Sequence, residues 1–412
     1  MKRIFLTLLL GVCQIAGFCQ QTLTVSVNNP LDVPRQAVPV VIRLSQFGLD
    51  VKSAQVTAAS GTEIASQLDD LDGDGAFDEL CFMTDLCKRE KTTFTVTLDS
   101  QGAPRTYEPK VYAEMLISNK KIKSSNKQNL YISSLTVDNG TNPYWMLHHH
   151  GPAFENELVA YRIYFDHRQT VDIYGKVNKG LELRQTQFYP DREQKANGLG
   201  DDVLWVGETL GLGTVRGWDG KAPTMLKDVE HRTLSIVSRG PLRTIVEVVD
   251  KGWNAPLPPS SKRIDMTTRY TLYAGRRDCA VSLHFDRPVN EFRFATGIIN
   301  VKNSVEHSDH KGLRGCWGTD WPVSEKDSAG HKRETVGLGI CIPAKNVVRE
   351  LPPTKDNYPF VIGNIKQDMD YFITFGSDNE SFGYHDSTSW FAYLDAWKRE
   401  CDAQPEVRIV KQ

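Results

Sequence analysis

Short stretches in which apolar and polar residues alternate run through almost the whole chain after residue 20. Clear examples cover residues 38–44, 92–98, 266–273 and 337–342. A period of two predicts β-strands, and the glycine, proline, asparagine and aspartate residues between the stretches predict turns. This spacing is typical of β-sandwiches and not of units in which strands alternate with helices. The chain is therefore predicted to be all-β.

One segment near the C-terminus has the periodicity of a helix instead. Four apolar side chains fall on one helical stripe, with Thr388 or Ser389 in position to cap the first turn. The helix is predicted to pack against the sheets and to be followed by a last strand over residues 407–410. The residues of its apolar stripe are Trp390, Phe391, Leu394 and Trp397.

Glycine and proline residues interrupt the strand pattern between residues 101 and 110, which predicts a boundary there. Residues 20–105 are predicted to form a small N-terminal β-sandwich. Residues 106–412 are predicted to form a large double-sheet β-sandwich, which is an ordinary size for that architecture.

Residues 1–19 have the pattern of a secretory signal peptide, with Lys2 and Arg3 before the apolar residues 4–12 and small residues near the cleavage position. A lipoprotein signal is the less favoured alternative, because bulky residues precede both Cys13 and Cys19. No later run is long and apolar enough to cross a bilayer. The protein is therefore predicted to be exported, to the periplasm or the outside, without a membrane span.

Loss of Lys2 and Arg3 leaves 47 of the 49 basic residues against 51 acidic ones, a net charge of −4. That balance argues against a nucleic-acid partner. The cysteines form no CxxC pair, so no structural zinc site is expected. The glycine-rich residues 207–213 lack the lysine of a phosphate-binding loop, and no organic cofactor is expected. The sequence carries no signal for an oligomeric state.

Residues 70–78 (DLDGDGAFD) have the carboxylate spacing of a calcium-binding loop, with glycine at the sharp turn. The flanking residues alternate like strands, so the loop resembles those that connect strands in extracellular β domains. A structural calcium ion and a solvated turn without metal are both compatible with this pattern. The predicted metal ligands are Asp70, Asp72, Asp74 and Asp78.

The densest group of titratable side chains lies within residues 148–168. If residues 154–165 form one strand, Glu155, Glu157 and Tyr161 share one face, which predicts a polar cleft. A glutamate would act as base, a histidine as acid, Tyr161 as a second proton carrier and Arg162 or Arg216 as the contact for an anion. A zinc site built from His148, His150 and Glu155 is an alternative. The predicted catalytic residues are His149, His150, Glu155, Glu157, Tyr161 and Arg162.

Further polar and aromatic residues lie in predicted turns. Adjacent carboxylates at residues 201 and 202 raise the pKa of one of them or bind a cation. Tryptophans in polar surroundings offer faces on which sugar rings stack, with core packing as the alternative for each. The predicted substrate-binding residues are Tyr189, Asp201, Asp202, Arg216, Trp218, Trp317 and Trp321.

Four motifs together resemble a family of secreted bacterial proteins, the domain of unknown function 4861. They are DLDGDGAFDEL, HHHGPAFENELVAYRIYFDHRQTVDIYGK, GLGDDVLWVGETLGLGTVRGWDGK and STSWFAYLDAWK, and they span nearly the full length. The resemblance implies a place among genes for the breakdown of polysaccharides, notably pectic and uronate-containing glycans. By looser resemblance, the large body is similar to the supersandwich of sugar mutarotases and of several polysaccharide lyases, which concerns fold alone.

Three functions fit the sequence. The first is a carbohydrate-active enzyme of lyase, hydrolase or epimerase type that acts on acidic or pectic glycan fragments by general acid–base chemistry. The second is a non-catalytic glycan-binding protein, and the third is a structural partner in a surface complex. Convergence of the titratable side chains in a pocket favours the enzyme, whereas a flat aromatic face favours binding.

Overall fold

The computed structural model describes residues 20–256 and 263–411. The predicted signal peptide lies outside these residues. Within them the chain forms six sheets in which every paired strand is antiparallel to its neighbour, and the longest helix lies near the C-terminus. The predicted all-β fold with a C-terminal helix is confirmed.

The N-terminal sandwich consists of a five-stranded and a three-stranded sheet. The first has the order Glu406–Lys411, Gln20–Asn28, Lys91–Asp99, Ser53–Ala58 and Glu63–Ile64; the second has the order Arg35–Arg43, Glu79–Leu86 and Ser66–Asp69. Alternate side chains such as Val25, Val40 and Phe82 are fully buried in one shared core.

The last strand differs from the sequence-based boundary. Glu406–Lys411 pairs with the first strand, Gln20–Asn28, and not with a strand of the body. Ile409 packs against the N-terminal core, and this apolar contact places the strand there. The N-terminal sandwich is therefore closed by residues from both ends of the chain.

The body is a large double-layered β-sandwich. Its nine-stranded sheet has the order Ser134–Asp138, His231–Arg239, Arg243–Trp253, Ile264–Tyr273, Asp278–Phe285, Asp368–Ser377, Glu334–Cys341, Leu313–Asp320 and Val305–Ser308. A five-stranded sheet, here called the site sheet, has the order Asp201–Asp202, Val171–Gly175, Ala160–Ile163, Ala153–Asn156 and Val111–Glu114. Another has the order Pro223–Thr224, Arg216–Trp218, Phe294–Ile299, Asn357–Ile362 and Val347–Glu350, and Leu116–Ile117 pairs with Leu130–Tyr131. One hydrophobic core joins the inner faces of the three large sheets.

The C-terminal helix, Ser387–Asp402, lies on the outer face of the nine-stranded sheet. Its cap is Asp386, whose carboxylate accepts the backbone N–H of Ser389, and not the predicted Thr388 or Ser389. Glycines in the sheet make room for it, because a Cβ atom at Gly315 would lie 2.2 Å from Leu394. Of the predicted stripe, Trp390, Leu394 and Trp397 are buried and Phe391 is half-buried.

The remaining helices are short. They are the α-helices Leu183–Thr186 and Arg192–Ala196 and the 3₁₀ helices Leu44–Phe47, His148–His150, Glu325–Asp327 and Ala344–Asn346. Among residues 20–256 and 263–411, no helix has the length and apolar character needed to span a bilayer. The six cysteines of these ranges are free thiols.

Candidate functional site

The segment predicted as one strand over residues 154–165 is a hairpin. Its strands are Ala153–Asn156 and Ala160–Ile163. The side-chain oxygen of Asn156 accepts two backbone N–H groups of the turn, at 2.8 and 3.0 Å. Asparagine favours such turns because its short amide mimics a backbone group. The alternation of side chains therefore ends at Asn156, and the prediction of a single strand is wrong.

The three residues predicted to share one face have three different surroundings. Glu155 is fully buried, and its carboxylate lies 2.6 Å from the ammonium group of Lys176. Tyr161 points into the main core and donates its hydroxyl to the carbonyl of Arg277 at 2.9 Å. Glu157 follows in the turn and lines a separate cavity of 470 Å³. The predicted common face is not formed.

Instead, the outer face of the site sheet carries a row of three charged groups, with an alanine between the first two. Glu114 pairs with Ala153, Ala153 with Arg162, and Arg162 with Asp172, so these side chains point to the same side. Glu114 is 1 % exposed and Asp172 is fully buried. Buried charges need partners. Some of these partners come from two turns of the chain that lie over this face of the sheet.

Both turns have strained backbones. His149 and His150 have φ angles of 41° and 69°, and Gln187 and Phe188 have 47° and 69°. Residues other than glycine rarely adopt this left-handed conformation, and clusters of them occur at functional sites. Gly151 is required beside the histidines, because a Cβ atom there would lie 1.8 Å from a backbone oxygen of the adjacent strand. The two turns meet above the charged row, where the rings of His149 and Phe188 are 6.0 Å apart.

A chain of hydrogen bonds leads from one of these turns to the surface. His149 Nε2 lies 3.2 Å from one carboxyl oxygen of Glu114, and the Tyr112 hydroxyl donates to the other at 2.9 Å. His149 is 1 % exposed, whereas Tyr112 is half-buried and lines a cavity of 590 Å³. We call Tyr112, Glu114 and His149 the relay.

The electrostatics of the relay keep a proton on Glu114 and leave His149 neutral. Burial raises the pKa of Glu114 to about 8, and burial together with the charge of Arg162 lowers the pKa of His149 to about 3. The pair is therefore neutral at neutral pH, with the proton on Glu114 donated to His149 Nε2. A carboxyl group whose pKa lies near the ambient pH is suited to general acid–base catalysis.

Polar atoms beside the relay lack partners. Among the described residues, His148 Nε2, His149 Nδ1 and Arg162 Nε are buried without a hydrogen bond. An unsatisfied buried polar atom costs about 1–3 kcal/mol, so such atoms usually serve a ligand or hold strain.

Arg162, predicted to contact an anion of the substrate, is occupied within the protein. Its guanidinium group contacts Asp172, lies 2.9 Å from Asp202 and is stacked 4.0 Å from the ring of Phe188. Tyr189, predicted to bind substrate, accepts a further hydrogen bond from it at 2.9 Å. Arg162 therefore organises the charged row, and at 2 % exposure it is not open to a substrate carboxylate.

The adjacent carboxylates of residues 201 and 202 have separate partners. Asp201 contacts Lys195 at the surface, whereas Asp202 is paired with Arg162. Burial and the nearby Asp172 raise the pKa of Asp202 well above its usual range. The expectation of one raised pKa agrees with this geometry, but the two groups do not point at a common ion.

The other predicted binding residues lie apart from one another. Arg216 is 1 % exposed, and burial lowers its pKa to about 10. Trp218 packs in a small core with Ala295 and Val361. Trp317 lies 6.3 Å from the helix residue Trp390, and the Arg333 guanidinium lies 5.3 Å from the Trp321 ring. The structure does not bring these tryptophans together as a sugar platform.

His150, a predicted catalytic residue, also lies outside the relay. Its ring stacks on Tyr144 with a centroid distance of 3.7 Å, and its Nδ1 lies 3.0 Å from the Tyr144 carbonyl. Burial lowers the pKa of His150 to about 4. Next to it, Trp145 is 77 % exposed and is the largest exposed aromatic group near the histidines.

The acidic loop lies in the N-terminal sandwich. Oxygens of Asp70, Asp72 and Asp78 lie within 4.8 Å of one another. Asp74, the fourth predicted ligand, instead accepts the backbone N–H of Ala76 at 2.8 Å. Within residues 20–256 and 263–411 this is the one such group of potential metal ligands, so the alternative zinc site at His148, His150 and Glu155 is not formed.

Of the three residues of the relay, the sequence predicted only His149 as a catalytic residue. His149 stood out through the three consecutive histidines, but Glu114 lies 35 residues earlier in an unremarkable strand. The available signal was weak: Tyr112 and Glu114 alternate with apolar residues in a short strand, a pattern that many strands of this chain share.

Comparison with known proteins gives one family and a distant likeness in structure. A family model described as "Domain of unknown function (DUF4861)" matches residues 27–407. An alpha-mannosidase from Enterococcus faecalis V583 and a protein in the glycosyl hydrolase family 38 from Enterococcus faecalis are similar at TM-scores of 0.43 and 0.44, each with 10 % identity. The matches cover 95 % of this chain but 46 % and 47 % of theirs, so it spans about half their length. Curated proteins give no match.

Proposed function

The chain belongs to the family of the domain of unknown function DUF4861, and because that description assigns no activity, we propose one from the site. The protein is an exported carbohydrate-active enzyme that works by general acid–base chemistry. The observation that carries this proposal is the relay, in which a carboxyl group with a pKa of about 8 links a buried histidine to a tyrosine at a cavity.

Tyr112 is the group that meets the substrate. Burial and the neighbouring Glu114 raise the pKa of Tyr112 above its usual range, so its hydroxyl is protonated and acts as a general acid. As the C–O bond to the leaving oxygen breaks, negative charge develops on that oxygen, and it takes the proton of the Tyr112 hydroxyl. In the resting site the Tyr112 hydroxyl donates to Glu114, so it must turn its one proton toward the leaving oxygen. The phenolate left on Tyr112 then takes the proton of the Glu114 carboxyl group, which regains a proton from solvent. His149 accepts the hydrogen bond that fixes the orientation of Glu114.

A glycan is the substrate class that the surroundings support. Tyr131, 53 % exposed, offers an aromatic face on the cavity that contains Tyr112. The resemblance of the sequence to secreted proteins of polysaccharide breakdown supports the same class. Lyase, hydrolase and epimerase chemistry each require an acid beside a sugar oxygen, so the relay serves any of the three.

A panel of defined oligosaccharides tests the proposed activity. We expect the purified protein to convert at least one pectic or other uronate-containing oligosaccharide, seen as new products by chromatography and mass spectrometry. The heat-unfolded protein is the control. If oligosaccharides bind but none in the panel is converted, the enzymatic function is refuted. Non-catalytic glycan binding then remains as the function.

We also propose that Asp70, Asp72 and Asp78 hold a structural calcium ion. Hydrogen bonds from the backbone N–H groups of Gly75 and Gly73 lower the pKa of Asp70, so the loop presents ionised oxygens to a cation. Calcium at about 100 times its dissociation constant is expected to raise the free energy of unfolding by about 2.7 kcal/mol. Thermal unfolding with calcium and with a chelator measures this.

The variant Asp70→Asn should lose the response to calcium. Asp32→Asn, at an exposed aspartate of the same sandwich, removes the same charge outside the loop and should keep it. Equal melting temperatures of the wild-type protein with calcium and with chelator would show that the loop is a turn without metal.

A further inference from the structure

Two arginines flank the relay tyrosine in the 590 Å³ cavity. Arg184, in the short helix Leu183–Thr186, places its guanidinium carbon 5.6 Å from the centre of the Tyr112 ring. Arg239, at the end of the strand His231–Arg239, lines the same cavity. The two arginines predicted from the sequence to contact an anion, Arg162 and Arg216, are both buried inside the protein.

Neither cavity arginine has a carboxylate partner. Arg239 donates to the carbonyl of Ile132 at 3.3 Å and to the hydroxyl of Ser133 at 3.2 Å, both neutral acceptors. Among the described residues, no carboxylate oxygen lies within 4.0 Å of a nitrogen of Arg184 or Arg239, whereas Arg243 and Arg276 nearby each have such partners. Two positive charges therefore face one cavity without compensation.

Glu114, which is hydrogen-bonded to Tyr112 in the cavity wall, does not neutralise them. Both oxygens of Glu114 are engaged, one by Tyr112 and the other by His149. Burial raises the pKa of Glu114 to about 8, so the group is neutral at neutral pH. Arg184 and Arg239 are both exposed to solvent, so an anion that enters the cavity can reach their guanidinium groups.

We propose that Arg184 and Arg239 bind the carboxylate of a uronic-acid residue in the substrate. This inference rests on the proposed glycan-acting function and deepens it, because it names the chemical group that the site selects. The planar guanidinium fork matches the two coplanar oxygens of a carboxylate and gives paired, charge-assisted hydrogen bonds.

The remaining wall of the cavity fits the rest of a sugar acid. In this arrangement the exposed face of Tyr131 lies against the sugar ring, and Ser133 offers a hydroxyl group to a substituent of that sugar ring. The volume of 590 Å³ is in the range of sites for small ligands, about 300–1,000 Å³. A carboxylate held between the arginines brings the sugar carbon next to it close to Tyr112, where the relay delivers its proton.

Binding of three matched trisaccharides tests the inference. The probes are trigalacturonic acid, its methyl ester, in which the carboxylates are neutral, and a sulfated galactotriose. Titration calorimetry is carried out on full-length protein carrying Glu114→Gln, so that turnover does not consume the probe. We expect the acid to bind at least about tenfold more tightly than its ester, because the ester loses the charge-assisted hydrogen bonds.

Variants of the two arginines assign the effect to the cavity. Arg184→Gln and Arg239→Gln should each weaken binding of the acid by about tenfold or more and leave binding of the ester unchanged. Arg184→Lys keeps the positive charge but loses the forked guanidinium group. Its affinity for the acid should lie between those of the wild-type protein and Arg184→Gln. Arg408→Gln is the matched control, since Arg408 is exposed on the last strand and has no carboxylate partner among the described residues.

The outcomes separate this inference from the proposed activity. Arginine-dependent selectivity for the acid supports it even if no oligosaccharide is ever converted, a result that would remove only the enzymatic function. Equal affinity for acid and ester, or unchanged affinity in both arginine variants with native circular dichroism, would overturn it. Tighter, arginine-dependent binding of the sulfated probe would overturn the uronate and replace it with a sulfate ester.

Discussion

Replacing Glu114 with glutamine is expected to lower kcat by about 10²–10⁴-fold, the usual contribution of a general acid or base. Glutamine keeps the size of the side chain and still accepts the hydrogen bond from Tyr112, but it has no proton to return. Tyr112→Phe removes the proton donor itself and should cause a loss of the same order. Because both residues act in the same chain of hydrogen bonds, the double variant should have a kcat only slightly lower than that of either single variant.

The pH dependence of the proposed activity of the wild-type protein follows from the same group. The pKa of Glu114 is raised from 4.5 to about 8, and the protonated form is the one that restores Tyr112. The rate should therefore fall as pH rises through about 8, and this fall should be absent from the residual activity of Glu114→Gln. Initial rates between pH 6 and pH 10, at about one-unit intervals, measure both profiles.

Glu157→Gln is the control for these variants. It makes the same chemical change at a glutamate that the sequence predicted to be catalytic, but that lines a different cavity. It should retain the wild-type rate and pH profile. A strong loss in Glu157→Gln together with an active Glu114→Gln would contradict the relay and restore the original prediction.

The fold was predictable because its signals are local. Alternation fixes which residues of a strand face the core, and one apolar stripe identified the helix through Trp390, Leu394 and Trp397. The same method failed at Asn156, where a side chain that bonds to the backbone ends a strand although the apolar pattern continues. The two-residue alternation of apolar residues does not reveal where a side chain competes with the backbone for hydrogen bonds.

The site was predictable only in part, because its partners are distant in sequence. His149 was identified from local composition, but its partner Glu114 is set by the strand register, which pairs Ala153 with Glu114 on one side and Arg162 on the other. The same register gives Arg162 its counter-charge at Asp172 and so removes it from the substrate site. The sequence alone does not distinguish a charged residue that is paired inside the protein from one that is free to bind a ligand.

Glu155 is another charged residue with a structural partner that the sequence did not reveal. The second prediction of a large effect, on stability, concerns this pair. The Glu155 carboxylate accepts from Lys176 Nζ at 2.6 Å and from the backbone N–H of Leu183 at 2.7 Å, at the start of the helix that carries Arg184. Glu155 and Lys176 are both fully buried. The pair therefore fixes the position of a cavity arginine without contact to the cavity itself.

Breaking that pair is expected to destabilise the protein severely. Lys176→Met leaves the Glu155 carboxylate buried without a counter-charge, and the free energy of unfolding should fall by about 3–5 kcal/mol. Removing both charges in Glu155→Gln/Lys176→Met should recover much of this loss, because no isolated charge stays buried. Urea unfolding followed by circular dichroism measures the three proteins.

An exposed ion pair provides the comparison that isolates burial as the cause. Lys52 and Asp50 are 2.9 Å apart, with 39 % and 63 % of their side chains exposed, so Lys52→Met should change the free energy of unfolding by less than about 1 kcal/mol. If Lys176→Met were as mild as Lys52→Met while Glu155→Gln abolished turnover at full stability, Glu155 would be the catalytic base that the sequence predicted. A large loss of stability in Lys176→Met assigns Glu155 instead to the support of the helix that carries Arg184.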